Sequence, residues 1–81
     1  MHNSSMDEEL TIRTQLTTAL DFWLQHCGLT QTAAAAELGT TQARISEIKH
    51  GKTDHFSLDL LVRLAARAGL APRIVLKEAP R

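Results

Sequence analysis

Apolar side chains recur at helical spacing through the first third of the chain, where Ile12, Leu16, Leu20, Trp23 and Cys27 fall on one stripe. The spacing predicts a helix from about Asp7 to His26, with residues 1–6 frayed before it. Asp7, Glu8 and Glu9 stand in its first turn, where carboxylates complement the positive end of the helix dipole. Gly28 ends it. An indole on such a stripe reads as core, and Cys27 reads as a small buried hydrophobe. Residues 29–52, LTQTAAAAELGTTQARISEIKHGK, change the rhythm to two short helices meeting at a sharp turn. Gln31 to Leu38 predicts the first, with Thr30 as its N-cap, and Thr41 to about Lys49 the second, capped by Thr40. Gly39 sits at the corner, where a residue without Cβ takes a left-handed conformation at little cost. Leu38, Ile45 and Ile48 face a shared core in this arrangement, and Ala34 and Ala35 let the backbones approach. Beyond a loop from His50 to His55, Ser57 caps another helix that carries Leu58, Leu61, Leu64, Ala65 and Ala68 inward and stops at Gly69. Pro72 breaks the chain, and the β-branched and apolar run Arg73-Ile74-Val75-Leu76-Lys77 predicts a short strand.

The second helix of the central pair leaves Gln42, Ala43, Arg44, Ser46, Glu47 and Lys49 exposed. Amide and guanidinium groups on a short capped helix are the chemistry that reads base edges in the major groove. Gln42 can make two hydrogen bonds to an adenine, Ala43 can touch a thymine methyl, and Arg44 can bind guanine or phosphate. Glu47, three residues after Arg44, either holds Arg44 in a helical ion pair or accepts from a cytosine amino group. Thr40, Thr41, Lys49, His50 and Lys52 lie near helix ends and the following loop and are phosphate-contact candidates.

Residues Leu29-Thr30-Gln31, Leu38-Gly39-Thr40-Thr41-Gln42, Ile45-Ser46-Glu47-Ile48 and Gly51-Lys52, followed by FSLDLLVRLAARAGL, resemble the Cro/CI-type (XRE) helix-turn-helix regulators over about Leu29 to Leu76. Among these the chain is most similar to the HigA-like antitoxins of toxin–antitoxin pairs. Ala34 departs from the pattern, which more often has a larger aliphatic there. The resemblance implies an all-α, lambda-repressor-like bundle of four to five helices with a short C-terminal β-strand, the helix-turn-helix occupying residues 30–50. It places Gln31 beside a phosphate, bracing the reading helix. It also implies a repressor of its own operon, bound to a near-palindromic operator, that neutralises a cognate toxin encoded alongside it. A stand-alone phage-type regulator and a protein-binding helical module without DNA readout are the alternatives.

Composition narrows these readings. Eighty-one residues, 43% of them apolar, suit one small domain over residues 1–81 with a modest core, a size often supported by oligomerisation. A lone strand at 73–77 has unpaired backbone on both edges. Its mate is then the same strand of a second copy, making Arg73, Ile74, Val75, Leu76 and Lys77 the dimerisation segment; the alternative is an extension lying on its own core. The formal net charge is zero, but unevenly built: Asp7, Glu8, Glu9 and Asp21 against Arg13 leave residues 1–27 at −3, with +1 over residues 28–52 and +2 over residues 53–81. Phosphate binding follows local cations rather than the total. An acidic first helix would suit a basic protein partner. Cys27 is alone, so no intramolecular disulfide or cysteine-based metal site is expected and a cytoplasmic setting fits. No run is apolar enough to span a membrane. The four histidines are dispersed, no glycine-rich phosphate loop occurs and no catalytic constellation emerges, so neither an enzyme, a metal nor a cofactor is expected.

Overall fold

The computed structural model describes residues 4–76, with side chains from Glu8 onward. Four helices make up the described residues: α1 (Ser4–His26), α2 (Gln31–Leu38), α3 (Gln42–Lys49) and α4 (Leu58–Arg67). α1 begins three residues before the expected start at Asp7. Residues 1–3, part of the stretch expected to fray, lie outside the described residues.

The core is one cluster. Leu16, Leu20 and Leu24 of α1 meet Ala34, Ala35 and Leu38 of α2, Ile45 and Ile48 of α3, and Leu61, Leu64 and Ala65 of α4. The i, i+4 spacing of the three leucines sets the buried seam of α1. Leu24 therefore occupies the place expected of Trp23, which is only half-buried beside the cluster together with Ile12. Cys27 is half-buried too, and its Sγ serves the end of α1: it accepts from the Leu29 amide at 3.4 Å and donates to the Leu24 carbonyl at 3.5 Å. Phe56, between α3 and α4, is 2% exposed and among the largest fully enclosed side chains. Leu61 stands at the fourth position of α4 and Phe56 just before its cap, the pattern of a hydrophobic staple.

Helix ends explain the layout of the middle of the chain. Thr30 Oγ1 accepts from the Ala33 amide at 3.1 Å and opens α2. α2 closes on Gly39 at φ 65°, with the Gly39 amide donating to Ala36 and the Thr40 amide to Ala35. That pair of bonds is a Schellman closure. Because Thr40 is spent on closing α2, the cap of α3 moves one residue on: Thr41, not Thr40, is the N-cap, its Oγ1 accepting from the Arg44 amide at 3.2 Å. α3 closes the same way on Gly51 at φ 69°, with the Lys52 amide donating to the Glu47 carbonyl at 2.8 Å.

The expected strand is not formed. Residues 73–76 have no regular structure, and Lys77 lies outside the described residues. Among the described residues the helices offer no sheet edge, so the backbone here finds no strand to pair with. Ile74, Val75 and Leu76 are 58%, 85% and 85% exposed and border a groove of about 1060 Å³ formed with Ile12, Leu16 and Ala19 of α1 and Val62 of α4.

Candidate nucleic-acid interface

Ile45 and Ile48, three residues apart, fix the rotation of α3, since both are buried in the core. At about 100° per residue the opposite side is centred on Ala43, with Gln42 and Ser46 on one flank and Glu47 and Arg44 on the other. Gln42, Ala43, Arg44 and Lys49 are exposed; Ser46 and Glu47 are half-buried. The exposed tip of α3 is therefore its first turn, held open by the Thr41 cap.

One of the two readings of Glu47 changes here. The Glu47 carboxylate does not hold Arg44. Its Oε2 lies 3.3 Å from Nε2 of His55, on the loop after α3. Arg44 instead sets its guanidinium over the Phe56 ring, 5.9 Å from the centroid, a cation–π placement. His55 stands edge-on to that same ring, with centroids 5.0 Å apart and planes at 82°. One flank of α3 is thus organised as Arg44–Phe56–His55–Glu47.

The remaining predicted residues are spread around this face. Gln31, half-buried, starts α2. Thr41 is exposed but commits its hydroxyl to the cap. The Thr40 hydroxyl is buried without a hydrogen-bond partner, so it is turned away from solvent at the corner. Lys49 in the last turn of α3 and Lys52 just beyond it are both exposed. His50 is exposed, but its Nδ1 lies 2.7 Å from the Ser46 carbonyl, folding the ring back along the end of α3. Arg73 to Leu76 are all exposed, away from this helix in sequence and on the groove beside α1.

Four further side chains shape the region without having been anticipated. Phe56 and His55 build the flank. Arg13 of α1 donates through Nη2 to the Thr53 and Asp54 carbonyls at 2.9 and 3.3 Å, pinning the loop that carries them. Arg67, at the end of α4, lies over the turn: a Cβ added at Gly39 would come 2.9 Å from its Nη1. The staple pattern before Ser57 was a signal for Phe56. No local signal marks Arg13 or Arg67, whose contacts span the chain.

Among the described residues no group of three or more His, Cys, Asp or Glu side chains is placed to hold a metal ion, and no helix is long and apolar enough to cross a membrane. A family model described as a helix-turn-helix domain matches residues 2–77. No curated protein matches the chain.

Proposed function

This chain belongs to the helix-turn-helix domain family, and from that premise we propose that it is a sequence-specific, double-stranded-DNA-binding repressor that inserts the first turn of α3 in the major groove. The observation that carries the reading is the exposed, capped tip bearing Gln42, Ala43 and Arg44 on a helix whose other side is locked by Ile45 and Ile48. Gln42 reads adenine and Ala43 packs on a thymine methyl, while Arg44, steadied by Phe56, reaches guanine or phosphate. Lys49 and Lys52 bind the backbone, with Gln31 and Thr41 at helix N-termini beside it. Selection of duplexes from a random-sequence library tests this directly. Recovery of a recurring motif by the parent, lost in a Gln42→Ala/Arg44→Ala variant that still folds, is the expected result. Enrichment of nothing by the folded parent sinks it.

Two finer elements belong to the same reading. The protein acts as a homodimer on a near-palindromic operator, joined by residues 73–77; the support is a run of exposed apolar side chains, Ile74, Val75 and Leu76, with no partner strand among the described residues. Such a dimer would set its reading helices about 34 Å apart. The protein also neutralises a toxin as the antitoxin of a pair and represses its own operon in the cytoplasm. Its support is the Cro/CI-type, HigA-like resemblance together with the acidic character of residues 1–27. Co-expression with the product of the adjacent gene is the test. Relief of toxicity that persists in the Gln42→Ala/Arg44→Ala variant is expected, whereas no relief by the parent leaves a plain repressor.

A further inference from the structure

We propose that His55 is a DNA-phosphate ligand, held at the edge of the exposed face of α3 by Glu47, and that it takes up one proton per subunit when a duplex binds. The inference rests on α3 being the reading helix.

Glu47 stands one turn beyond Ala43 on the side of α3 that would meet DNA. A duplex carries one negative charge per roughly 1.7 Å of axis, so an uncovered carboxylate there opposes binding. The structure covers it with His55: Glu47 Oε2 lies 3.3 Å from Nε2, with the imidazole side chain 61% and the carboxylate side chain 35% exposed. Donation of the Nε2 hydrogen to Glu47 fixes the tautomer and leaves Nδ1 as the second ring nitrogen, with no protein hydrogen bond among the described residues. In the neutral ring Nδ1 is an acceptor and repels a phosphate oxygen. Once protonated it is a donor, and the ring bridges two anions.

The ring is placed for this. It stands edge-on to Phe56, which is buried, and Arg13 anchors the two carbonyls immediately before it, those of Thr53 and Asp54. The charged groups on the loop and on the neighbouring turns of the helices around it are Arg13 of α1, Arg44, Glu47 and Lys49 of α3, Lys52 and Asp54 of the loop itself, and Asp59 and Arg63 of α4, the last two paired with each other at 3.9 Å. Of these, only Glu47 forms an ion pair with the imidazole. A phosphate arriving beside Nδ1 adds a second anion, which favours the charged ring, and imidazole is the side chain that changes charge in the physiological range. The proton comes from solvent and goes to Nδ1; no bond is made or broken otherwise.

The test uses the full-length protein and the tightest duplex that the parent recovers from a random library, with affinity read by fluorescence anisotropy at fixed ionic strength. Between about pH 6 and pH 8 the parent Kd should rise by about tenfold or more, since one linked proton gives up to about tenfold per pH unit. His55→Gln, which keeps a donor for Glu47, should fold normally by circular dichroism and change by less than about twofold over that range. His50→Gln should retain the parent's pH dependence. The salt slope of the parent should be steeper at the lower pH by about 0.9 per subunit, and that of His55→Gln should not move. A parent whose affinity is flat with pH, or a His55→Gln variant as pH-dependent as the parent, overturns the role of His55 while leaving DNA binding intact. Failure of the parent to bind any duplex overturns the reading-helix premise itself.

Discussion

Between Thr30 and Lys52 both helices have a side-chain oxygen at their first turn and a backbone closure at their last. From Ala71 to Leu76 the chain has neither. Both regions mix small, apolar and basic side chains. In the first, each polar group with special geometry is matched by a residue suited to it: threonines at the caps, glycines at φ 65° and 69°. In the second, Ala71 takes φ 47°, a left-handed backbone that its Cβ opposes, and three apolar side chains face solvent. Local instruction is complete in one and missing in the other. A segment of the second kind depends on contacts from outside itself for any order it acquires.

The largest effect should come from Phe56, which lies just beyond the first region and packs in the same core as its Leu38, Ile45 and Ile48. Its burial at 2% exposure predicts that Phe56→Ala costs about 3–5 kcal/mol, a large part of what a domain of this size has. Denaturant unfolding should show the midpoint falling steeply. Because the ring also carries Arg44 and abuts His55, a Phe56→Leu variant that keeps most of the volume is the sharper probe: stability should fall less, while the flank of α3 loses its aromatic platform. A Phe56→Ala protein as stable as the parent would break the comparison at its strong end.

Next in size are the effects on binding. Gln42→Ala should weaken binding to a selected duplex by about 1–3 kcal/mol and relax preference at one position, as expected for losing a two-bond base contact. Lys52→Ala should instead weaken all duplexes alike and lower the salt slope by about one. Parallel mobility shifts at two salt concentrations distinguish the two patterns. Equal, sequence-independent losses in both variants would mean that α3 lies on the backbone and does not read.

What could be read from the sequence divides along the same line. Thr30, Gly39, Ser57 and the buried Leu38, Ile45 and Ile48 were legible because each signal is local: a cap, a corner glycine, a three-residue spacing. The cap of α3 falls on Thr41 and not on the expected Thr40 because two helix ends compete for adjacent threonines, and only the fold decides that Thr40 closes α2. Helical spacing alone favours Trp23 over Leu24, since a bulky ring satisfies that spacing even on the shoulder of the stripe. Helical spacing leaves Glu47 open between an ion pair with Arg44 and a cytosine contact; His55, its partner in the fold, reaches it from a loop pinned by Arg13 and followed by the buried Phe56. The strand expected at residues 73–77 rests on apolar and β-branched composition, which specifies a preference but supplies no second edge.

Two residues in left-handed backbone, Gly39 and Ala71, allow the comparison to be inverted. Gly39→Ala should cost about 1–2 kcal/mol for the backbone alone. It should cost slightly more than Gly28→Ala, because Gly28 at φ 74° has nothing within 4 Å of an added Cβ whereas at Gly39 the Arg67 guanidinium must move. Ala71→Gly should act in the opposite direction. Relief of the left-handed strain is partly offset by the greater freedom of glycine in the unfolded chain, leaving a gain of under about 1 kcal/mol. Thermal unfolding of the three variants side by side checks the signs, and a destabilised Ala71→Gly would show that the turn into the last segment is not strained.

The smallest effect on stability is expected where the exposed apolar side chains are largest. Val75 and Leu76 are each 85% exposed, so Val75→Ser/Leu76→Ser removes almost no burial within one chain. Each substitution should shift unfolding free energy by no more than about 0.5 kcal/mol, the usual range for surface positions. Measured at concentrations where the parent is monomeric, the unfolding curve should overlay the parent's. The same variant becomes informative when association is measured. If residues 73–77 join two copies, sedimentation should show the parent self-associating and the double serine variant shifted to monomer, with operator affinity falling as one of two half-site contacts is lost. Unchanged association would leave the segment without that role while the reading helix stands. A marked loss of stability in the monomer would mean that the segment packs on its own core, and the contrast between the two regions would then be one of degree.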